Sequence, residues 1–275
     1  MKTTIDIYKI LQCPLCKIGV TESLLCPKCG EKYVFENDVY VMVNPKISRN
    51  EWKWDLNLFN EDKIKAAGVR YKSFLNEDTK KADDIWHDEM NKRIAGFQGI
   101  VCDVATGLGG MLDKMMASPA DFQPIATDVD PNVLAWTTRK VKEKYKKDFI
   151  SIATDGKNMA LADNSVDYVA SLAALGNIPD TRKALREQYR ILKNGGRFVM
   201  VNTFVKKWSR SHLLAKLLKL ERGIIKEYLL EDMRSVGFKE AQINIVSSAV
   251  WAKNPMDALP VAGDMNYYAI VEAVK

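Results

Sequence analysis

GIVCDVATGLGGMLDKMM, residues 99–116, reads as a buried β-strand closing on an acid, Asp103, then a turn of small residues and the start of a helix. The turn runs through Ala105, Thr106, Gly107, Leu108, Gly109 and Gly110. Such a strand–turn–helix brings bare backbone close to a ligand, because only Gly and Ala leave the space. The same turn also serves as a plain connection in α/β proteins, so the chemistry around it has to carry the reading.

Two cofactor classes compete for the loop. A dinucleotide site wants G-x-G-x-x-G, with pyrophosphate on the N–H groups of the helix N-terminus. Gly107 and Gly109 fit that spacing, but Leu112 stands where the third glycine belongs. Asp103 would also set a negative charge beside a diphosphate. S-adenosylmethionine (SAM) carries a sulfonium and an ammonium and no phosphate, and a carboxylate favours both cations. Asp103 therefore points to SAM.

The pattern repeats downstream. PIATDVDP, from Pro124, is a second short strand ending at Asp128, at the distance where an acid meets ribose hydroxyls in nucleotide folds. ISIATDGKNMALADNSVDYVASL, from Ile150, reads as strand, loop, strand, with Asp155 closing the first and Ser171 near the end of the second. Asp155 is placed to accept from an adenine amino group. ILKNGGRFVMVN adds a Gly-Gly turn and another buried strand. Any one of these acids alone reads equally well as a helix N-cap or a loop acid. Three successive strands ending on acids are a pattern.

Residues 99–205 resemble the class I SAM-dependent methyltransferases of the broad type 11 group. Their acid-x-Gly-x-Gly-x-Gly motif falls on Asp103, Ala105, Gly107 and Gly109, with Ala105 replacing one glycine. The resemblance implies a ribose acid at Asp128 beside Val129, and an adenine side formed by Asp155, Gly156 and Met159. DNSVDYVAS and LREQYRILKNGGRFVMVN match the family's later motifs, with Asn194 where proline is usual. The implied fold is α/β: a Rossmann-like, seven-stranded methyltransferase sheet with helices on both faces. The expected SAM-binding domain is 98–275.

The N-terminus carries a second signal. Cys13-Pro-Leu-Cys16 and Cys26-Pro-Lys-Cys29 are separated by nine residues, and Gly30 follows the last cysteine. Two CxxC knuckles at this spacing can wrap one structural Zn²⁺ with four thiolates. Redox chemistry and paired disulfides are the alternatives that a single CxxC would leave open. KYVFENDVYVM then alternates like a hairpin turning at Asn37-Asp38. The expected unit is a zinc ribbon over 1–45, too small to hold a core without its metal. Cys102 falls inside the first strand as a small buried hydrophobe.

The chain has 275 residues and a formal net charge of +6. It is long enough for one large core and a satellite. No apolar run has the length of a membrane span and no secretory signal is evident, so the chain is expected to have no membrane partner. Free thiol ligands suit a reducing, cytoplasmic setting. RKVKEKYKK, 139–147, is expected as the solvated face of a helix. FVKKWSRSHLLAKLLKLERGIIK, 204–226, lies where relatives of this fold insert substrate-recognition elements. Its basic and aromatic residues, His212 among them, suit an anionic substrate, or else an amphipathic helix buries its leucines inward. Residues 46–97 read as a helical segment covering the substrate, with Tyr71 and His87 the side chains to watch; each has a plain alternative in helix packing.

Methyl transfer is an in-line displacement in which the protein chiefly positions two reactants and excludes water. Asn177 is the nearest polar candidate to orient a nucleophile, while Asp180 reads as an N-cap. No general base is evident. Three functions follow: a methyltransferase acting on a small molecule, an RNA methyltransferase using the ribbon to bind RNA, or a non-catalytic binding module. Retention of all three acids argues against the last. The zinc ribbon ahead of this domain resembles the order in ribosomal-RNA guanine methyltransferases, and it resembles small methyltransferase-activating ribbons that dock a protein partner. The methyl acceptor is therefore left as small molecule or RNA.

Overall fold

β1 (Val34–Glu36) and β2 (Val39–Val41) form the expected hairpin, turning at Asn37-Asp38. Both turn residues have positive φ, 51° and 61°. A two-residue turn needs this to match the right-handed twist of its strands. The computed structural model describes residues 6–51, 55 and 60–275, so the stretches 52–54 and 56–59 of the expected helical segment lie outside the described residues. Within the rest of that segment are α1 (Glu61–Ser73) and α2 (Glu77–Ile94), whose N-caps Asn60 and Asn76 accept from the N–H groups of Asp62 and Thr79. α2 buries Thr79, Ala82, Trp86, Met90 and Ile94, a single face at helical spacing.

The chain continues through β3 (Gly99–Val104), α3 (Gly110–Ala117), β4 (Phe122–Asp128), α4 (Pro131–Tyr145), β5 (Ile150–Ala153), β6 (Val166–Leu172) and α5 (Thr181–Ile191). Then come β7 (Leu192–Phe204), α6 (Arg210–Leu217), α7 (Glu221–Ile224), α8 (Lys226–Val236), β8 (Lys239–Val250) and β9 (Met265–Val274). The described strands form one sheet in the order β1-β2-β5-β4-β3-β6-β7-β9-β8. β3 to β7 run parallel, and β9 lies antiparallel between β7 and β8. Strand order reverses between β3 and β6, and a crevice opens there at the strands' carboxyl ends. The Lys193–Gly196 turn is a bulge inside β7: Val166 pairs with Leu192, but Tyr168 already pairs with Arg197. Gly237, at φ 115°, ends α8.

The seven strands β3–β9 are those expected, and the ribbon hairpin extends them. β2 pairs parallel with β5, Tyr40 against Ile152 and Val41 against Ala153. Without the hairpin, β5 would be an edge with unpaired backbone groups. The ribbon docks further through Gln12 N–H to the Ala160 carbonyl, 3.0 Å, and Ala162 N–H to that of Ile10, 2.8 Å. Lys17 reaches Glu187 at 2.7 Å, and Glu187 also pairs with Arg190. Ile7, Leu11, Val20, Leu24 and Met42 share one apolar cluster with Ile125, Ile152 and Leu161.

Two local expectations are corrected. Asp180 occupies the N-cap of α5, but its side chain makes no capping bond, because its own backbone is left-handed at φ 61°. The leucines of α6 do not all turn inward. Leu220 is buried, whereas Leu213, Leu217 and Leu218 are exposed.

Candidate functional site

The β3–α3 turn is held by a small hydroxyl network. Thr106 N–H donates to the Thr127 carbonyl at 2.8 Å, and Thr127 N–H donates back to Thr106 Oγ1 at 3.1 Å. Thr127 Oγ1 donates to the Asp103 carbonyl at 2.9 Å, which ties β4 to the end of β3. Ala105 is left-handed at φ 55°, a conformation costing an alanine about 1–2 kcal/mol. Gly107 is also left-handed, at φ 52°, and a Cβ there would point into open space. The turn therefore lays backbone along the floor of a cavity.

That cavity has a volume of about 750 Å³ and lies over the carboxyl ends of β3–β6. Asp103, Ala105, Thr106, Gly107, Asp128, Val129, Asp155 and Gly156 line it, as the sequence pattern implied. Asp103 is fully buried, and neither carboxylate oxygen makes a hydrogen bond of normal geometry among the described residues; the Thr106 hydroxyl and the Leu112 N–H lie close enough only to oppose the rise in its pKa. Desolvation, with Asp128 nearby, pushes its pKa up to about 8. Asp128 accepts from Gly107 N–H at 2.8 Å and Asp130 N–H at 3.0 Å. Its pKa is raised by burial against the opposing pull of these N–H groups. Asp155 accepts from Lys157 N–H at 2.8 Å through Oδ1, while its buried Oδ2 has no partner among the described residues. This floor thus offers three acids with spare lone pairs, and the lining also holds Arg49 and Lys157, the latter paired with Glu51. It suits a ligand bearing an ammonium, a diol and an amino group, and it would repel a diphosphate.

Three expected cofactor residues do not line the cavity. Gly109 packs outward as the N-cap of α3, where a Cβ would sit 2.8 Å from Thr137 Cγ2. Met159 is buried in the core, its backbone held by Glu187 and Lys17. Ser171 donates to the Val104 carbonyl at 2.8 Å, bracing β6 against β3.

The opposite wall is more apolar, with Ile178, Leu218, Leu220, Met256 and Leu259, and it carries Asn177 and Asp257. Tyr71 does not line the cavity but reaches it indirectly: its hydroxyl donates to Asp257 Oδ2 at 2.7 Å. Asn254 Nδ2 donates to the same oxygen at 3.3 Å. Burial raises the Asp257 pKa, and the Tyr71 hydrogen bond opposes the rise. Asn177 Nδ2 donates to the Ala173 carbonyl at 3.2 Å. His87 lies apart, stacked on Trp86 with ring centroids 3.7 Å apart, and burial lowers its pKa to about 4. His212 is also apart: buried, with Nδ1 accepting from Trp208 N–H at 2.9 Å, it ties down the turn before α6. Both histidines are packing residues here. Asp257 is the site residue that sequence reasoning missed. Its loop, 251–264, carries two prolines and a glycine, and nothing in those residues singles out this acid.

At the ribbon, the sulfurs of Cys13, Cys16, Cys26 and Cys29 all lie within 4.8 Å of one another. Thiolates about 2.3 Å from a tetrahedral zinc stand about 3.8 Å apart. The Cys13 and Cys29 sulfurs are 3.8 Å apart. Tyr33 Oη lies 3.2 Å from Cys13 Sγ, an outer partner for that ligand. The four-sulfur donor set fits a closed structural site.

A sequence model of the ubiE/COQ5 methyltransferase family matches residues 78–213. The ubiquinone/menaquinone biosynthesis C-methyltransferase of Rickettsia prowazekii is 26% identical over 149 residues, 52% of this chain and 54% of the relative. The demethylmenaquinone methyltransferase of Bacteroides fragilis is 33% identical over 105 residues, 37% of this chain and 42% of the relative. The chain thus spans about half the length of the curated relatives it matches. Among solved structures, Haemonchus contortus phosphoethanolamine N-methyltransferase 2 with SAM superposes with a TM-score of 0.55 at 19% identity, covering 79% of this chain and 59% of that one. In fold this is a Rossmann-like methyltransferase sheet, and residues 78–213 are similar in sequence to the ubiE/COQ5 methyltransferases. No described helix is long and apolar enough to cross a membrane.

Proposed function

We propose that this class I methyltransferase domain transfers the methyl group of SAM to a small aromatic acceptor bearing an ionisable hydroxyl, of the quinol type. The observation that carries the cofactor is Asp103, buried in the cavity with neither oxygen in a hydrogen bond of normal geometry among the described residues. A buried carboxylate without a cation is costly, and an ammonium ligand removes the cost. Asp128 is then the acceptor for the ribose hydroxyls, Asp155 Oδ2 the acceptor for the adenine amino group, and Val129 and Gly156 flank the ring. The four cysteines hold a structural zinc. The relatives' names supply the quinol class, and the apolar wall with one hydrogen-bonded acid suits it. Most of that wall is outside the family match: Leu218, Leu220, Met256, Asp257 and Leu259, with Tyr71 behind them, fall beyond residues 78–213, and only Ile178 and Asn177 fall within.

When bound, SAM supplies a methyl carbon made electrophilic by the sulfonium. Asp257 takes the hydroxyl proton of the acceptor, which makes the neighbouring ring carbon nucleophilic. That carbon would take the methyl group with the C–S electrons left on sulfur; the proton held on Asp257 would return to the ring oxygen, and the ring C–H proton would pass out through the cavity mouth to bulk solvent. Tyr71 and Asn254 hold the Asp257 carboxylate in place, and Ile178, Leu218 and Leu259 keep water from the reacting atoms.

The test is transfer of labelled methyl from SAM to 1,4-naphthohydroquinone, with bulk RNA as the parallel acceptor. Label in the quinol supports the reading, and label confined to RNA would replace it. Asp257→Asn is expected to lower kcat ten- to a hundredfold while leaving the Kd for S-adenosylhomocysteine (SAH), the demethylated product, unchanged. A lost SAH affinity would instead place Asp257 in cofactor binding.

A pH profile checks Asp103. With its pKa near 8, the group is mostly neutral at pH 6, and only its ionised form pairs with the ligand's ammonium. SAH affinity should rise from pH 6 to 8, by up to about tenfold per unit. It should level off above that, where Asp103 is fully ionised, and fall only once the ligand's own amino group loses its proton. In the ligand-free protein the sign reverses. The unfolded chain ionises this acid first, so stability contributed by the neutral form declines as pH rises from the ordinary carboxylate range toward about 8. Asp103→Asn should flatten the rising limb of affinity, and a profile identical to the wild type would remove Asp103 from the ammonium site.

A further inference from the structure

The segment Lys206–Leu220, KKWSRSHLLAKLLKL, contains five lysines and arginines and no acid. Four of its large apolar side chains face outward: Trp208 is 80% exposed, Leu217 79%, Leu213 56% and Leu218 36%, while Ala215 and Leu220 are buried. A stretch of large apolar groups left in water on a folded domain marks a contact surface. The local geometry makes the stretch continuous. Ser209 is the N-cap of α6, accepting from His212 N–H. Trp208 is therefore the residue before the cap and Leu213 the fourth helical residue, the two positions that adjoin across a helix start. Leu217 follows Leu213 by one turn on the same face. Trp208 is itself left-handed at φ 68°, and its N–H is tied to His212 Nδ1 at 2.9 Å. A bulky residue in that conformation is strained, yet here the strained backbone leaves the indole exposed. At the far end, Leu218 and Leu220 enter the lining of the cavity, beside Met256, 45% exposed.

The charges surround this stripe. Lys207 lies 3.8 Å from Glu227 and Arg210 3.6 Å from Asp264. Among the described residues, Lys206, Lys216 and Lys219 have no acidic partner within 4.0 Å. Exposed Trp and Leu flanked by uncompensated lysines match a surface that sinks a shallow apolar face among anionic headgroups, with indole at the headgroup level. Two other partners fit less well. Lysines are depleted in protein–protein interfaces. Single-stranded RNA is held by stacking on aromatic faces, and Leu213 and Leu217 offer none.

We propose that α6 and the turn before it form a monotopic docking surface for an anionic lipid bilayer, placing the cavity mouth against the membrane. This inference does not rest on the identity of the acceptor, and it is a matter of surface contact, distinct from the absence of a spanning helix among the described residues. The test is co-sedimentation of the full chain with phosphatidylcholine vesicles, with and without phosphatidylglycerol. Binding is expected to the anionic vesicles and to weaken with salt. The triple variant Trp208→Ser/Leu213→Ser/Leu217→Ser should reduce vesicle binding at least tenfold, and Lys206→Glu/Lys216→Glu/Lys219→Glu should abolish the preference for anionic lipid. SAH binding, measured on every variant, reports that the cofactor domain is intact. Failure of the wild-type chain to bind anionic vesicles, or binding indifferent to the triple variant, overturns the proposal. So does a stripe whose substitution instead dissociates a dimer in sedimentation velocity, or one that binds RNA and ignores lipid.

Discussion

Asp128→Ala is expected to weaken SAH binding by about 2–4 kcal/mol, a thirty- to thousandfold rise in Kd by titration calorimetry. Two losses combine. The first is the pair of hydrogen bonds to the ribose hydroxyls, each strengthened by the acceptor's charge. The second is local: Asp128 also accepts from Gly107 N–H and Asp130 N–H, so its removal loosens the turn that floors the cavity. A SAH analogue lacking the ribose 2′-hydroxyl separates them. If the carboxylate meets the diol, the deoxy ligand binds the wild type about tenfold or more weakly but binds Asp128→Ala about as well as SAH does, because the partner is already gone. Equal penalties in both proteins would show that Asp128 acts on the loop alone.

Removal of the ribbon metal should have the largest structural effect. Structural zinc contributes about 10–16 kcal/mol to small zinc-binding peptides, more than such a unit holds by packing. Cys26→Ser, or a strong chelator, is expected to release one zinc per chain and unfold the ribbon. A ribbon that was only a satellite would leave the cofactor domain unaffected. The docked hairpin changes that expectation. Unfolding the ribbon uncovers the edge of β5 at Ile152 and Ala153, removes Leu11 and Met42 from the shared cluster, and strands Glu187 without Lys17. Loss of even 2–3 kcal/mol moves the thermal transition of a domain this size by about 5–10 °C. The main transition should therefore drop, and amide exchange in β5 should accelerate. One zinc per chain persisting in Cys26→Ser would refute the four-cysteine site, and an unmoved main transition would mean that docking contributes no stability.

The parts of this site that were legible in sequence are those set by backbone need. Gly107 sits where the chain is left-handed, which glycine adopts without the cost that Ala105 bears in the same turn, and the Asn37-Asp38 hairpin turns with both residues at positive φ. Asp103, Asp128 and Asp155 were readable because each closes or follows a parallel strand, and β3 to β5 bring those ends to one crevice. Met159 and Ser171 were misplaced for a related reason. A residue's distance along the chain past a strand end does not say which way its side chain points: the Met159 side chain packs into the core, and the Ser171 hydroxyl turns to the Val104 carbonyl. His87 and His212 attracted notice as titratable residues in helical segments, yet Trp86 stacking and the Trp208 turn use them as packing pieces.

Local chemistry written into the chain determined the cofactor class, the four-cysteine cluster, the hairpin and the parallel sheet, because small residues, acids and CxxC spacing act over a few bonds. Tertiary structure alone decided what lies opposite the cofactor. Asp257 meets Tyr71 across 186 positions of sequence, and the ribbon completes a sheet whose nearest strand is more than a hundred residues away. It also decided that Trp208, Leu213 and Leu217 stay outside, since the turn and cap before α6 aim that face at solvent and no described element covers it. Periodicity can say that a helix has an apolar face; only the packing of the remaining elements says whether that face meets the core.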